Sequence, residues 1–261
     1  MDSLEALFSV RGHRALVTGA SSGLGVDCAH ALAVAGADVA LVARREDRVK
    51  TLADELTRKY RVRAVGVGAD VSHESDIERA FGECVRALGG EIDILVNNAG
   101  VSPTGRAENF KRELWDNAVA VNLTAPMLLS QRVARALIAA HKPGRIINMA
   151  SIYASVASSV YRLSAYAATK AGLANLTRQL AVEWAPYGIL VNAIAPGWIP
   201  TEATEGGIAK PGNKGRMQQF TPLGRLGRPE EIRGVVVFLA SPASSYITGA
   251  ILAVDGGYTS W

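Results

Sequence analysis

The sequence predicts a single doubly wound α/β domain, in which a parallel sheet of about seven strands carries helices on both faces. Two observations predict this fold class. Short apolar runs such as Ala15-Leu16-Val17 alternate with helical patterns along the chain. The first run passes directly into a glycine-rich turn, residues 18–25, and then into a helical pattern. Because the 261 residues include no internal repeat, low-complexity tract or interdomain linker, we expect one domain over residues 1–261.

The composition argues against several classes of protein. The 28 basic and 24 acidic residues are spread along the chain without a run of like charge, which is not typical of a nucleic-acid-binding protein. The first residues lack the basic region of a signal peptide, and no apolar run reaches membrane-spanning length. Cys28 and Cys84 have no metal-ligand or redox-motif neighbour, and the 4 histidines lack ligand-like spacing. We therefore expect a cytoplasmic protein with no metal, nucleic-acid or membrane partner.

The turn after the first strand has the composition of a phosphate-binding loop. It reads Thr18-Gly19-Ala20-Ser21-Ser22-Gly23-Leu24-Gly25, and the helical pattern after it continues to Ala35. The free N–H groups at a helix N-terminus can bind a pyrophosphate there. The glycines permit the turn, the approach of backbone to phosphate, and close packing of helix on strand. This arrangement indicates a Rossmann-type dinucleotide-binding domain.

The end of the second strand, residues 38–42, predicts the choice of cofactor. In a dinucleotide fold the residue about twenty positions after the glycine turn faces the adenosine ribose, and a carboxylate there selects NAD. This chain has Ala43 at that place, followed by Arg44 and Arg45, whose planar donors suit a 2′-phosphate. The sequence therefore predicts NADP(H) in preference to NAD(H), although two arginines at a strand end can also be simply exposed. Glu46 and Asp47 fit the first turn of the next helix.

The third and fourth strands also end in polar residues on the side of the sheet where ligands bind. Asp70-Val71 follows the strand at 64–69, and Asn97-Asn98-Ala99-Gly100 follows the strand at 94–96. Asp70 could bond the adenine amino group or cap a helix starting near Ser72. Asn97 and Asn98 could instead satisfy backbone groups close by.

A long helical pattern covers about residues 111–140 and contains Asn122, a poor helix former whose presence there suggests a specific role. Pro126 lies inside the pattern and predicts a kink or break. The fifth strand, residues 145–149, then brings Ser151 to its carboxyl end. Serine at such a place can be catalytic or can simply begin a turn.

A helix beginning near Ser164 carries Tyr166 and Lys170, which lie on one helical face because they are four residues apart. A nearby ammonium favours the phenolate, so the pairing suits a general acid or base for carbonyl and alcohol chemistry. The alternative is a solvated helix face with no catalytic role.

The last part of the chain supplies two more strands and a long irregular segment. The sixth strand ends at Pro196-Gly197, and Ile251 to Val254 closes the sheet. Between them, residues 198–229 are rich in Gly, Pro, Thr and Lys and show no sustained periodicity, which predicts a substrate lid that is mobile without ligand. A helix follows from Pro229 to Ala240.

Together these residues resemble the short-chain dehydrogenase/reductase family over nearly the whole chain. The matching positions are Thr18-Gly19-x-x-x-Gly23-x-Gly25, Asp70, Asn97-Asn98-Ala99-Gly100, Asn122, Ser151, Tyr166-x-x-x-Lys170, Pro196-Gly197 and Asp255-Gly256-Gly257. Two further stretches, residues 220–225 and 247–250, are similar to those of 3-oxoacyl carrier-protein reductases and gluconate 5-dehydrogenase-like enzymes. The resemblance implies a homotetramer.

The resemblance also implies a role for each catalytic residue. Tyr166 would exchange a proton with the substrate oxygen while hydride moves to or from the nicotinamide. Lys170 would hold the ribose hydroxyls and lower the pKa of Tyr166, Ser151 would polarise the carbonyl, and Asn122 would position water in a proton relay. The predicted cofactor contacts are Gly19, Ser21, Ser22, Gly23, Leu24, Gly25, Arg44, Arg45, Asp70, Val71, Asn98, Ala99, Gly100, Tyr166, Lys170, Pro196, Gly197, Ile199 and Thr201.

One spacing departs from the pattern of the family. The loop between Ser151 and Tyr166 is slightly longer than in the best-known bacterial members, so Ser155, Ser158 or Ser159 is an alternative to Ser151. Position 22, where many NADP-preferring relatives carry a basic residue, is a serine.

We expect an oxidoreductase that transfers hydride between NADP(H) and a small carbonyl or secondary alcohol substrate, acting as a ketone reductase. The alternatives are an NAD(P)-dependent sugar-acid or polyol dehydrogenase, and a non-catalytic NADP(H) redox sensor. The intact set of Asn122, Ser151, Tyr166 and Lys170 argues against the sensor. We expect the substrate to be determined by the loops at 101–110 and 152–163 and by the lid.

Overall fold

The computed structural model describes residues 3–260 and contains a seven-stranded sheet. Neighbouring strands are all parallel, and their order across the sheet is 3-2-1-4-5-6-7. The strands are β1 (Arg14–Thr18), β2 (Asp38–Ala43), β3 (Ala64–Gly68), β4 (Ile94–Asn97), β5 (Gly144–Met149), β6 (Ile189–Pro196) and β7 (Ile251–Val254).

Helices connect the strands and cover the sheet. They are α1 (Leu4–Phe8), α2 (Leu24–Val34), α3 (Glu46–Tyr60), α4 (Glu74–Leu88), α5 (Arg112–Val119), α6 (Ala125–Ala139), α7 (Ser164–Trp184), α8 (Glu202–Ile208), α9 (Asn213–Gln219) and α10 (Arg233–Ala240). Two apolar cores result, because α2, α3 and α10 pack on one face of the sheet and α4, α6 and α7 on the other. The predicted Rossmann-type α/β fold class is therefore confirmed.

The topology determines where a ligand can bind. Chain order runs outward in both directions from the neighbours β1 and β4, so the loops after these two strands leave the sheet on opposite sides. A crevice forms at such a reversal, outside the carboxyl ends of the strands. The glycine turn follows β1 and the predicted Asn98-Ala99-Gly100 contacts follow β4, which places both sets of residues at this crevice.

A buried network of amide and hydroxyl groups links β4, β5 and two helices. Asn97 Nδ2 donates to Asn148 Oδ1 at 2.8 Å and to Ser130 Oγ at 3.1 Å, and Asn148 Nδ2 donates to Thr177 Oγ1 at 2.9 Å. Asn97 and Asn148 are also direct partners in the ladder between β4 and β5. The network joins the sheet to α6 and α7, and all four side chains are buried.

The structure modifies two expectations about where helices begin and break. The break predicted near Pro126 is a π-helical segment, Ala120–Thr124, between α5 and α6. The helix expected near Ser72 begins two residues later, at Glu74.

The segment at 198–229 is not wholly irregular, because it contains α8 and α9. Each of these helices has 7 residues, about two turns, which is too short to give a sustained periodic pattern in the sequence. Among residues 3–260, no helix is long and apolar enough to cross a membrane.

Candidate active site

Ser151 and Tyr166 meet beyond the carboxyl end of β5. Ser151 follows that strand and is buried, while Tyr166 lies in the first turn of α7 and is half-buried. Ser151 lies beside the Tyr166 hydroxyl and lowers its pKa, and Ser151 Oγ accepts a hydrogen bond from the N–H of Tyr153 at 3.2 Å. Two donors held together in this way can act on one carbonyl oxygen.

The alternative serines have other positions. Ser155 and Ser159 are exposed. Ser158 Oγ accepts hydrogen bonds from the N–H groups of Val160 and Tyr161, at 3.2 and 2.9 Å, and so shapes the loop. Their placement favours Ser151 as the partner of the tyrosine.

Lys170 is on the same side of α7 as Tyr166, as the four-residue spacing predicts, with Nζ 5.6 Å from the centroid of the Tyr166 ring. Its side chain is almost fully buried, and Nζ donates a 2.6 Å hydrogen bond to the carbonyl oxygen of Met149, the last residue of β5. Burial lowers the pKa of Lys170 to about 8 because the ammonium loses hydration. Lys170 is thus hydrogen-bonded to the end of β5, the strand that Ser151 follows.

The pKa of Tyr166 is raised, which differs from the lowering expected from Lys170. Burial of the hydroxyl raises the pKa, and the nearby Ser151 side chain opposes this effect only in part. In this structure Lys170 Nζ bonds the backbone of β5 instead of the phenol, so the expected stabilisation of the phenolate does not appear. At neutral pH Tyr166 therefore holds its proton.

Asn122 lies in the π-helical segment and is fully buried. Its Oδ1 accepts from the N–H of Val101 at 2.8 Å, and its Nδ2 donates to the Val101 carbonyl at 2.9 Å and to Thr169 Oγ1 at 3.0 Å. A Cβ placed on Gly100 would lie 3.4 Å from Asn122 Oδ1 and 3.6 Å from Lys170 Nζ. Asn122 therefore joins the loop after β4 to the helix that carries Tyr166 and Lys170.

The glycine turn forms a cradle in which side chains would not fit. A Cβ on Gly25 would lie 2.3 Å from the carbonyl oxygen of Gly19, and Gly23 has a φ of 58°, a left-handed conformation that favours glycine. The helix α2 begins at Leu24, so the N–H groups of its first turn have no partner within the helix. The turn can therefore approach a pyrophosphate with its backbone donors.

Asn98 holds the glycine turn in place, which is the local role that the sequence left open. Its Nδ2 donates to the carbonyl oxygens of Thr18 and Gly19 at 2.9 and 3.2 Å. Thr18 Oγ1 in turn accepts from the N–H groups of Asn98 and Ala99, both at 3.1 Å. Thr18 was not among the predicted site residues, although its place at the end of β1 could have indicated this role.

At the end of β2, Ala43 stands at the predicted ribose-facing position and two arginines follow it. Ala43 is buried and Arg44 is exposed. Arg45 reaches back to the glycine turn, where its Nη2 donates to Ser22 Oγ at 2.7 Å and to Ser21 Oγ at 3.1 Å. The fork of an arginine beside two hydroxyls provides suitable donors for a phosphate monoester.

Asp70 serves the local turn in this structure. Its Oδ1 accepts from the N–H and the hydroxyl of Ser72, at 3.0 and 2.8 Å, and Val71 beside it is buried. Partial burial acts to raise the pKa of Asp70, but these hydrogen bonds and the nearby Arg44 lower it overall. The carboxylate has a second oxygen with which to bond an adenine.

The segment after β6 closes the opposite end of the crevice. A Cβ on Gly197 would lie 2.7 Å from the Cα of Asp255, so only glycine fits beside the end of β7 after Pro196. Ile199 is buried, and Thr201 begins α8 with its side chain against the glycine turn, 3.1 Å from the place of a Cβ on Gly23. The base of the predicted lid thus packs on the predicted phosphate loop.

A cluster of aromatic side chains packs beside the Tyr166 ring through Tyr153. The Tyr153 ring lies edge-on to Tyr166 and to Trp198, with centroids 6.4 and 5.8 Å apart, and Tyr161 is 5.5 Å from Trp198. Asn213 Nδ2 donates to the Tyr161 hydroxyl at 3.2 Å, which ties the 152–163 loop to α9. The sequence indicated both segments as determinants of the substrate, but it did not show that they pair.

The fold and the site together define a nicotinamide-dinucleotide oxidoreductase acting on alcohol or carbonyl groups. The glycine cradle, the helix N-terminus and the arginine fork fit a dinucleotide, and a phenol beside a hydroxyl and a buried lysine fits proton exchange with a substrate oxygen.

The chain belongs to the short-chain dehydrogenase/reductase family. A family model described as "Enoyl-(Acyl carrier protein) reductase" matches residues 19–259. The chain is 39% identical over 248 residues to the 3-oxoacyl-(acyl-carrier-protein) reductase of Aquifex aeolicus (strain VF5), covering 95% of this chain and 98% of that protein. It is also 39% identical over 253 residues to the NAD-dependent glycerol dehydrogenase of Listeria innocua, covering 97% and 96%. Among solved structures, gluconate 5-dehydrogenase from Burkholderia cenocepacia J2315, in complex with NADP and tartrate, has a TM-score of 0.93 and 36% identity, covering 99% of this chain and 100% of that one.

Proposed function

We propose that this protein is an NADP(H)-dependent reductase of a small ketone. The observation that carries the proposal is the placement of the Tyr166 ring beside Ser151, with Lys170 Nζ 5.6 Å from its centroid, at a crevice that suits a dinucleotide. Reduction of a ketone needs a proton donor next to the carbonyl oxygen, and the Tyr166 hydroxyl is a donor of that kind.

Each residue of the site has a defined part in this proposal. Tyr166 gives its proton to the carbonyl oxygen, and Ser151 donates a hydrogen bond where negative charge develops on that oxygen. The nicotinamide supplies the hydride when it is bound. Lys170 lies within 5.6 Å of the Tyr166 ring centroid and can hold ribose hydroxyls. Asn122 fixes the loop after β4 and would position the water through which Tyr166 regains its proton.

The preference for NADP(H) depends on the end of β2. With Ala43 there is no carboxylate to bond both ribose hydroxyls or to repel a 2′-phosphate, and Arg45 with Ser21 and Ser22 offers donors to that phosphate. The complex of the Burkholderia gluconate 5-dehydrogenase contains NADP, whereas the Listeria glycerol dehydrogenase is named as NAD-dependent. We therefore take the arginine fork, not the family, as the basis for the preference.

The second candidate is a sugar-acid or polyol dehydrogenase, which the names of the gluconate and glycerol enzymes favour. One feature of the site also favours it. Trp198 Nε1 is buried and has no hydrogen-bond partner among residues 3–260, and its ring packs on Tyr153 next to Tyr166. A free donor in the wall suits a substrate that carries several hydroxyl groups.

Initial rates distinguish these proposals. NADPH and NADH consumption is followed with simple ketones, keto acids, keto sugar acids and 3-oxoacyl thioesters, and NADP⁺ reduction with polyols and sugar acids. We expect turnover of a ketone with a larger specificity constant for NADPH than for NADH. Turnover confined to sugar acids and polyols selects the second candidate, and an equal or larger constant for NADH refutes the cofactor preference. Tight NADP(H) binding without turnover across the panel would instead indicate a redox sensor.

We infer that residues 198–229 act as the substrate lid. Its base packs on the glycine turn through Thr201, and Asn213 ties it to the substrate loop, so it contacts both predicted ligand sites. Limited proteolysis tests this proposal. Cleavage between Trp198 and Arg228 should be slower in the complex with cofactor and substrate than in the free protein, and equal rates would contradict a lid.

A homotetramer is proposed from the family resemblance and is supported by exposed apolar side chains. Val182 on α7 is 74% exposed, and Leu114 and Trp115 on α5 are also exposed. Light scattering coupled to size exclusion measures the mass directly, and a monomer would refute the proposal.

We also infer a cytoplasmic location. Cys28 and Cys84 are free and buried, and burial raises the pKa of each thiol to about 12, so neither is a reactive thiol of a redox site. Fractionation of cells that express the protein would test this proposal, and recovery in a secreted fraction would contradict it.

A further inference from the structure

A carboxylate of the lid lies on the arginine that we assign to the 2′-phosphate. Glu202, the first residue of α8, accepts a hydrogen bond from Arg45 Nη1 through its Oε1. Its Oε2 accepts from Arg48 Nη1 at 2.8 Å. Glu202 is thus held between two cationic side chains, 157 and 154 residues away along the chain.

This contact uses one of the two N–H groups of Arg45 Nη1, the nitrogen that Ser21 and Ser22 leave free. Arg45 Nε donates to Ser21 Oγ at 3.2 Å, and Nη2 donates to Ser21 and Ser22. With Nη1 on Glu202, each nitrogen of the guanidinium has an acceptor. One N–H of Nη1 has no acceptor among residues 3–260, so a phosphate that binds the fork through two parallel N–H groups must displace at least one acceptor that the protein itself supplies.

We propose that Glu202 competes with the 2′-phosphate of NADP(H) for Arg45, and that binding of the phosphate releases the start of α8 from Arg45. This inference rests on the proposed NADP(H) site. Glu202 is then a specificity-determining residue, because it weakens the binding of a phosphorylated ribose and leaves a ribose with a free 2′-hydroxyl unaffected.

Charge and exposure favour displacement over a permanent bridge. The side chains of Glu202 and Arg45 are 52% and 37% exposed, so water screens their attraction and the bond is weak. A phosphate monoester carries about two negative charges and three acceptor oxygens, which bond an arginine fork more strongly than one carboxylate oxygen does. The helix α8 does not need Glu202 to begin, since the Thr204 hydroxyl accepts from the Thr201 N–H at 2.8 Å.

The test compares two ligands that differ only in the 2′-phosphate. Binding of adenosine 2′,5′-bisphosphate and of 5′-AMP to the full-length protein is measured by calorimetry for the wild type and for Glu202→Gln. The matched control is Glu205→Gln, an exposed carboxylate on the same helix. Thermal unfolding checks that each variant is folded.

We expect Glu202→Gln to bind the bisphosphate about three- to tenfold more tightly, with 5′-AMP changed by less than about twofold. Glu205→Gln should match the wild type with both ligands. Hydrogen exchange gives a second measurement: the bisphosphate should speed exchange of the α8 amides in the wild type, and 5′-AMP should not. Weaker binding of both ligands by Glu202→Gln would overturn the proposal, because Glu202 would then stabilise a position of α8 that covers the dinucleotide. Equal binding by wild type and variant, or unchanged α8 exchange, would also overturn it.

Failure of this inference can be separated from failure of the proposed function. If initial rates show no preference for NADPH but Glu202→Gln still selectively tightens the bisphosphate, the competition stands and the preference is wrong. If NADPH is preferred and the variant changes nothing, the preference stands and the competition is wrong.

Discussion

Lys170 should reduce the stability of the folded protein at neutral pH, and its effect can be isolated by titration. Burial lowers its pKa from the ordinary 10.5 to about 8. Below pH 8 both the folded and the unfolded chain bind the proton, and the folded state bears the full cost of a buried ammonium. Between about 8 and 10.5 the unfolded chain still binds the proton while the folded chain has lost it, so the free energy of unfolding rises with pH. Above 10.5 both forms are neutral and the rise stops.

The size of the effect follows from the two pKa values. At 1.36 kcal/mol for each pH unit, the interval from about 8 to 10.5 corresponds to roughly 3 kcal/mol. Lys170→Met removes the titrating group, while other groups such as Tyr166 titrate in both proteins. The difference in the free energy of unfolding between the two proteins therefore reports the titration of Lys170. The variant also loses the hydrogen bond to Met149, which shifts this difference by an amount that does not have the same pH dependence.

Urea unfolding at several pH values measures this difference. The protein concentration is held fixed, because the stability of an oligomer depends on it. The free energy of unfolding of the wild type minus that of Lys170→Met should rise by roughly 3 kcal/mol between pH 8 and 10.5. Lys142→Met, at an exposed lysine, is the control and should give a flat difference. If the difference in the free energy of unfolding between the wild type and Lys170→Met changes by less than about 1 kcal/mol over this pH range, the ammonium of Lys170 is not destabilised by burial.

Three further changes test other parts of the site. Tyr166→Phe removes the hydroxyl group that would transfer the proton and keeps the ring, so turnover should fall about a hundredfold to ten-thousandfold while calorimetry shows unchanged cofactor binding; a folded variant that keeps more than about a tenth of the turnover contradicts the assignment. Gly25→Ala puts a Cβ 2.3 Å from a carbonyl oxygen of the glycine turn, so cofactor binding should be lost, whereas Gly215→Ala, in open space, should bind normally. If Gly25→Ala still binds the cofactor, the glycine turn is not the cofactor-binding site. Ala43→Asp combined with Arg44→Ala should move the ratio of specificity constants towards NADH, because repulsion of a 2′-phosphate is added and attraction is lost. An unchanged ratio would show that the end of β2 does not select the cofactor.

Residues that follow strands, or share a helix face, could be located from the sequence. Ser151 directly follows β5, and the four-residue spacing places Tyr166 and Lys170 on one side of α7, because helix and strand geometry fix such local relations. The turn at 18–25 could be located for the same reason. Near Pro126 the predicted kink or break takes the form of a π-helical segment, since a proline removes a donor from the helix.

Contacts between distant segments could not be located in this way. Glu202 and Arg45 are 157 residues apart, and no local pattern connects them. Lys170 turns towards the Met149 carbonyl because that oxygen is within reach in the folded protein, which its spacing from Tyr166 does not reveal. The helices α8 and α9 were missed because two turns rich in glycine give no periodic signal.

The buried network around Asn97 and Asn148 keeps strands β4 and β5 in register. Apolar parallel strands present similar side chains at every second position, so hydrophobic burial alone specifies their alignment weakly. A slip by one residue would move both amides away from each other and from Thr177, leaving buried polar groups without partners at about 1 to 3 kcal/mol each. Since Gly100 and Ser151 each lie three residues beyond one of these asparagines, the network also fixes how far the loop after β4 and the proposed catalytic serine extend above the sheet. Two side chains outside the proposed ligand contacts thereby set the alignment of the two halves of the candidate site.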